Sequence, residues 1–239
     1  MMERFIELAN EITDPELREK TIKMIQNPFP TNPDWRHPGI EFRRSPASTN
    51  MHHCYSGGLI EHTISVVKIS SAIADVLASV HNADINRDAV LAGALLHDIM
   101  KPITYEEGER GYNASDGAKI LDHILLATVE LYRRDFPISV VHVVAAHHGK
   151  GSTIRPLTLE ALAVHLADTL DAELNNNIIE GAKRISNVRL KELGCNMGQE
   201  TLKKLFDKVS PYKIVITRQK DGRDAVRRLI KEALDVSGD

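Results

Sequence analysis

Cysteine is scarce in this 239-residue chain: Cys54 and Cys195 are its only two. They are too few for a disulfide framework and lack the spacing of a zinc ribbon. Aromatic residues make up 5%, with one tryptophan, so a core drawn from the 42% hydrophobic content must be built mainly from Leu, Ile, Val and Ala. Charge of one sign is also missing. A net charge of -3, from 30 basic and 33 acidic residues, excludes a whole-molecule electrostatic funnel for nucleic acid but not a local basic patch. No apolar run is read as approaching the roughly 20 residues of a membrane span, and acids within MMERFIELANEI argue against a signal peptide. A soluble, cytoplasmic protein is therefore expected. A Gly-rich phosphate loop, a GxGxxG turn and a Ser/His/Asp nucleophile set are absent; Gly57-Gly58 only opens a helix.

What is present is mainly helical. Residues 2–26 carry apolar positions at helical spacing, with Asp14-Pro15 as a helix start. Prolines at 28, 30, 33, 38 and 46 rule out regular helix and mark an arm of about 25 residues. From Gly57 the chain turns helical, with Leu59, His62, Val66, Ile69 and Ile73 on one inward stripe. Asn86-Arg87-Asp88 opens the next helix, AVLAGALLHDIMK, closed by Lys101-Pro102, and ITYEEGERGYN (103–113) reads as a polar hairpin. Ser115 or Asp116 caps a helix holding Ile120, His123 and Ala127; ISVVHVVAAHHG ends at Gly149, expected at a helix C′ position. Leu159–Leu174 forms the next helix. Beyond about Asn187 a helix near Thr201–Val209, a strand YKIVITR and a basic helix DAVRRLIKEALD are expected. No internal repeat is present.

Histidines and aspartates recur through this pattern in one order: His62, His97-Asp98, His123, His147-His148 and Asp168. A lone imidazole or carboxylate in an apolar helix is costly to bury without a partner. Five helices each carrying such a group can converge them in one bundle. Adjacent helical residues point about 100° apart, so Asp98 at a helix end can lie between two cations while His97 ligates one. His62 and Asp168 would complete the metal beside His97, and His123, His147 and His148 the other. The N/O donor set suits Mn, Fe, Co, Ni or Zn rather than Cu(I) or thiolate zinc. Such a site implies hydrolysis, with a water made acidic by two divalent ions and Lys101 facing the developing charge.

The same order, with Lys101 three positions after Asp98, resembles the HD superfamily of metal-dependent phosphohydrolases. SPASTNMHHCYSGGLIEHT, INRDAVLAGALLHDIMK, AAHHG and ALAVHLADTLDAEL are similar to the HD domain of the bacterial YhaM-type 3′→5′ exoribonucleases, over about residues 45–175. The resemblance implies an HD-type helical bundle in which His62, His97, Asp98 and Asp168 hold one metal. Asp98, His123, His147 and His148 hold the second, and Lys101 faces a substrate phosphate. Met100 stands where that family has glycine. The leading segment reads as helix plus proline-rich arm, not the OB-fold of those exoribonucleases. The expected fold is mainly α, an HD bundle with a short β-hairpin and a small mixed α/β C-terminal appendage. The divisions are 1–50 (N-terminal helices and arm), 51–186 (metal-binding domain) and 187–239 (appendage packing on it).

Beside these stand weaker candidates, each with a plainer alternative. His52, His53, Arg43 and Arg44 are candidate substrate contacts, though structural histidines read equally from the residues and a solvated strand edge is the commoner reading of the two arginines. Asp171, one turn beyond Asp168, is a substrate contact or a group that orients a ligand. His37, His81, His142 and His165 read as structural. The basic run from Lys213 to Lys231 is a solvated face or a nucleic-acid patch. The function expected is a divalent-metal phosphodiesterase acting on nucleotides or the 3′ end of short RNA. The alternatives are a nucleotide phosphomonoesterase, a di-iron oxygenase and a non-catalytic metal sensor.

Overall fold

The computed structural model describes residues 2–35, 37–109, 111–151, 153–196 and 198–235. Helices α1 (Met2–Ala9) and α2 (Pro15–Gln26) come first, and Asp14 caps α2 by accepting from the backbone N–H groups of Glu16 and Leu17. Their apolar faces, including Phe5, Leu8, Met24 and Ile25, pack on α4 (Arg87–Leu96), and Ile12 from the connection between them joins the same core. Asp88 secures that contact by accepting from the N–H groups of Thr13 and Asp14 and from the Thr13 hydroxyl.

Among the described residues the arm has no regular structure apart from a 3-10 turn at Phe42–Arg44, yet it is well held. Arg134 donates to the carbonyls of Asn27 and Phe29, Glu130 accepts from Thr31, and the Ile40 N–H donates to Pro102 O. The backbone groups that proline density leaves without helical partners find them here.

The centre of the fold is α3 (Gly58–His81), α4, α8 (Ile138–Ala146) and α9 (Leu159–Glu192), packed on one another. Gly93 lets α4 and α8 approach closely, since a Cβ there would come within 2.3 Å of Val143 Cγ1. That approach places the ends of these two helices, and the histidines just beyond them, side by side. By length and composition α3 is apolar enough to cross a membrane, which corrects the expectation that no such run exists. Its inner face carries the buried His62, Thr63 and Ser70 and packs against α4 and α9.

Between α4 and α8 run the short α5 (Lys101–Thr104) and the hairpin β1 (Tyr105–Gly108) and β2 (Gly111–Ala114), with Tyr105 opposite Ala114. Two helices follow, α6 (Asp116–Ile120) and α7 (His123–Arg133), where one was expected. Leu121 is extended, and the Asp122 side chain accepts from Leu125 N–H, restarting the helix so that His123 is its first residue.

Helix α9 also runs well past Leu174, to Glu192. Its second half supports α10 (Gln199–Lys208), α11 (Pro211–Lys220) and α12 (Gly222–Ala233) around a separate small core of Leu190, Leu205, Ile214, Val226 and Ile230. The expected strand YKIVITR is instead helix α11, so this segment is helical rather than mixed. Its β-branched run suggested a strand. Pro211 in the first turn, the Ser210 cap on Lys213 N–H and burial of Ile214 against this core decide for helix.

Candidate metal centre

His97 and His147 are reached in the same way. Each follows the last residue of its helix, α4 or α8, where backbone carbonyls lack intrahelical partners. The His97 Nδ1–H donates to Ala94 O at 2.8 Å and the His147 Nδ1–H to Val144 O at 2.7 Å. Both bonds fix the tautomer that leaves Nε2 as a lone-pair donor facing inward. His62, fully buried on α3, presents Nδ1 to Asp171 Oδ2 at 2.7 Å and turns Nε2 toward the same interior point.

Asp98 stands at that point, and its two oxygens divide the histidines. Oδ2 lies 3.3 Å from His62 Nε2 and 3.3 Å from His97 Nε2, and 2.5 Å from Lys101 Nζ. Oδ1 lies 3.3 Å from His123 Nε2 and 3.6 Å from His147 Nε2. Asp168 closes the first group, 3.2 Å from His62 and 4.0 Å from His97. His148 joins the second, its ring centroid 4.3 Å from that of His147. Donor atoms of His62, His97 and Asp98 lie within 4.8 Å of one another, as do those of Asp98, His123, His147 and His148. The seven residues expected from sequence are thus gathered at one place.

Electrostatically the cluster is a sink for positive charge. Burial alone would raise the Asp98 pKa, yet the Lys101 ammonium beside it and the contacts from His123 and His147 hold it well below the usual carboxylate range. Asp168 is lowered too, because the His62 contacts outweigh its burial. Burial disfavours a charged His62, but Asp168, Asp171 and Asp98 around it raise its pKa well above the ordinary value. For Lys101, burial is outweighed by Asp98, and the ammonium is retained. His123 is lowered by burial, and His148 falls to about 3, chiefly from burial.

Asp98 Oδ1 and the Nε2 atoms of His123 and His147 are buried without a hydrogen-bond partner, while Asp98 Oδ2 pairs with the Lys101 ammonium. Orphaned buried donors and acceptors of this kind are rare in folded proteins. An N/O set of lone pairs aimed inward fits borderline divalent cations, which would satisfy these atoms.

Around the cluster, His53 has a left-handed backbone (φ 46°), and this sends the neighbouring imidazoles different ways. His52 turns toward the site, its ring centroid 5.0 Å from that of His62 and both ring nitrogens unpartnered; burial lowers its pKa to about 3. His53 approaches from behind, with Nε2 2.9 Å from Asp171 Oδ2 and Nδ1 3.0 Å from the Tyr55 hydroxyl. Tyr55 donates to Glu61, and Asn175 Oδ1 accepts from the His53 N–H at 2.6 Å. Sequence reasoning missed Asn175 and Glu61. The signal was there in part, since Asn175 follows Asp171 by four on the buried face of α9.

Arg43 and Arg44 are not brought to the cluster; they pair with Glu41 and Glu107 at the surface. His142 accepts from Leu157 N–H, and the His165 Nδ1–H donates to His147 O. Gly149 is not a simple helix terminator: α8 stops at Ala146, and Gly149 opens a 3-10 turn with φ 53°. The His165 ring lies beneath it, leaving no room for a Cβ.

The family model for the HD domain matches residues 59–173. A dihydroneopterin 2′,3′-cyclic phosphate phosphodiesterase from Methanocaldococcus jannaschii is 44% identical over 237 residues, 99% of this chain and 92% of that protein. The 3′-5′ exoribonuclease YhaM of Bacillus subtilis is 28% identical over 186 residues, 73% of this chain and 54% of that protein. The YhaM of Bacillus licheniformis is 26% identical over the same shares. No solved structure matches the chain. Family match, full-length relative and inward-facing donor set agree: the chain belongs to the HD superfamily of metal-dependent phosphohydrolases.

Proposed function

We propose that this hydrolase is a phosphodiesterase with two divalent cations, opening a 2′,3′-cyclic phosphate carried on a small heterocyclic compound such as dihydroneopterin. The observation that carries the cation pair is the division of Asp98, with Oδ2 facing His62 and His97 and Oδ1 facing His123 and His147. The substrate class rests on the 44% identical, full-length relative. His62, His97, Asp98 and Asp168 would hold one ion, and Asp98, His123, His147 and His148 the other. Bound there, divalent ions supply an acidified water and neutralise phosphate charge.

The remaining chemistry falls to the chain's own residues. Water adds to phosphorus, one ester P–O bond of the ring breaks, and its alkoxide takes up a proton to leave a monoester. Lys101 holds its ammonium against the charge that develops on the phosphate. His52, neutral with free ring nitrogens, contacts the substrate; Asp171, backed by His53, holds the His62 ring in place. Arg43 and Arg44, already paired with glutamates, are left out of this role. We place the enzyme in the cytoplasm, where its two free cysteines stay reduced.

The 3′ end of a short RNA is the second reading, favoured by the YhaM similarity and the cations of α11 and α12. The test is to offer Mn²⁺-loaded protein dihydroneopterin 2′,3′-cyclic phosphate, a 2′,3′-cyclic nucleotide, a 5′-labelled oligoribonucleotide and p-nitrophenyl phosphate. A monoester from the cyclic compounds is expected. Laddering of the oligomer alone would shift the assignment to RNA, and release of phosphate from the monoester alone would overturn it.

A further inference from the structure

The imidazoles of the metal centre are held in two ways. His97 and His147 rest on carbonyls of their own helices, three residues back in the chain. His62 is held from a distance instead. Its Nδ1 meets Asp171 of α9, and behind Asp171 a run of polar contacts continues away from the centre. His53 Nε2 lies 2.9 Å from the same Asp171 oxygen, and His53 Nδ1 lies 3.0 Å from the Tyr55 hydroxyl. Tyr55 in turn donates to Glu61 Oε2 at 2.7 Å.

Asn175, fully buried one turn beyond Asp171, ties these groups together. Its Oδ1 accepts from the His53 N–H at 2.6 Å, and its Nδ2 donates to the Tyr55 hydroxyl at 3.4 Å. A side-chain amide carries two N–H donors, so one remains for a further partner. That partner comes from the C-terminal unit. Helix α11 packs on α9, with Gly181 facing Val215 at van der Waals distance. Tyr212, in the first turn of α11 and partly buried, takes a hydrogen bond from the Asn175 side chain. Burial raises the Tyr212 pKa, the bond from Asn175 lowers it, and Asp171 and Glu61 raise it, so three members of the network lie near one phenol.

We infer that Tyr212 is a positioning residue for the metal centre, acting through Asn175 and Tyr55 on His53, Asp171 and finally His62, so that the C-terminal helices hold one of the two cation positions. This rests on the cation pair proposed above. An imidazole ligand binds metal best when its second nitrogen is held and its ring cannot turn. Asp171 fixes the His62 ring only while its own oxygen is fixed, and that oxygen is shared with His53. His53 is secured at its backbone by Asn175 and at Nδ1 by Tyr55, and Asn175 meets Tyr212. The contacts that aim His147 and start α7 at His123 belong to other elements, so the second position does not depend on this network. Tyr55, Asn175 and Tyr212 all lie outside residues 59–173, the HD segment.

Tyr212→Phe removes only the hydroxyl and keeps the ring that packs with α11, so Tm should stay at the wild-type value. Full-length protein titrated calorimetrically with Mn²⁺ should take up two ions. In Tyr212→Phe one of them should bind about 3- to 10-fold more weakly, less than the roughly 10- to 100-fold of losing a group that touches the ligand, and the other as in wild type. Tyr55→Phe, nearer to His62, should lose more. In an Asp171→Asn background, where the connection is already cut, Tyr212→Phe should add nothing, because residues of one network are not additive. Wild-type affinity for both ions in Tyr212→Phe overturns the inference. So does equal weakening of both ions, or the same loss with and without the Asp171 carboxylate. A wild-type chain that takes up a single ion would sink the cation pair instead, and the role of Tyr212 then stands only if Tyr212→Phe weakens that ion.

Discussion

Asp98 differs from the other donors because two groups of histidines depend on its two oxygens. Asp98→Ala is therefore expected to lose bound metal and to lower kcat by at least roughly a hundredfold. Lys101→Met should behave differently, retaining metal while kcat falls on the order of a hundredfold. Metal content by mass spectrometry beside steady-state rates separates the two, and wild-type rates from both would refute the assignment. A subtler test is Asp171→Asn, which weakens the hold on the His62 and His53 rings without touching the histidines. Loss of such an orienting carboxylate should cost roughly 10- to 100-fold in metal affinity or activity. Isothermal titration with Mn²⁺ measures it, and unchanged affinity together with unchanged kcat would show that His62 needs no support.

Among the elements, the helix ends matter more than the helix middles. Helices α4 and α8 stop just before His97 and His147, and their last carbonyls hold the imidazoles. Helix α7 starts on His123 because Asp122 caps it. The N-terminal helices depend on a cap-like contact of another kind, the Asp88 carboxylate on Thr13 and Asp14. Burial would raise the Asp88 pKa, but these hydrogen bonds and then Arg18 lower it. A carboxylate lowered by folding stabilises fully above its unfolded pKa of about 4, and the contribution is lost as pH falls through the folded value. Asp88→Ala should thus cost about 1 kcal/mol near neutrality, allowing for its partial exposure to solvent. Urea unfolding at pH 7 and below pH 4 should show the difference from wild type shrinking in acid; a constant difference would remove the carboxylate's charge from the explanation.

At the scale of the whole molecule two cores share one long helix. The first half of α9 carries Asp168 and Asp171 into the metal centre, and the second half supports α10, α11 and α12. The fully buried Ile230 belongs only to the second core. Ile230→Ala should cost roughly 2–5 kcal/mol. Hydrogen exchange should then rise across α10–α12 while α3, α4 and α8 stay protected, since cooperative units open separately. Uniform acceleration through α3 and α4 would mean instead that the two cores unfold together.

The donor set was legible in the linear order because the chemistry accepts few residue types and each must be buried on a helix face or end. Helical periodicity likewise gave the bundle, a polar stretch with Gly108 and Gly111 the hairpin, and capping residues the Asp14, Asn86 and Ser115 starts, for which local bonding suffices. Other features depended on contacts between residues distant in the chain. YKIVITR is helical because it packs beside α9, and α9 continues through three consecutive asparagines to Glu192, with Asn175 buried against His53. The support of His62 by Asp171, His53 and Tyr55 joins segments over a hundred residues apart. The sequence by itself determined which side chains offer lone pairs suited to a metal, since donor type is a property of each side chain. Only the tertiary structure decided how those atoms are aimed and what surrounds them, because orientation and burial belong to packing.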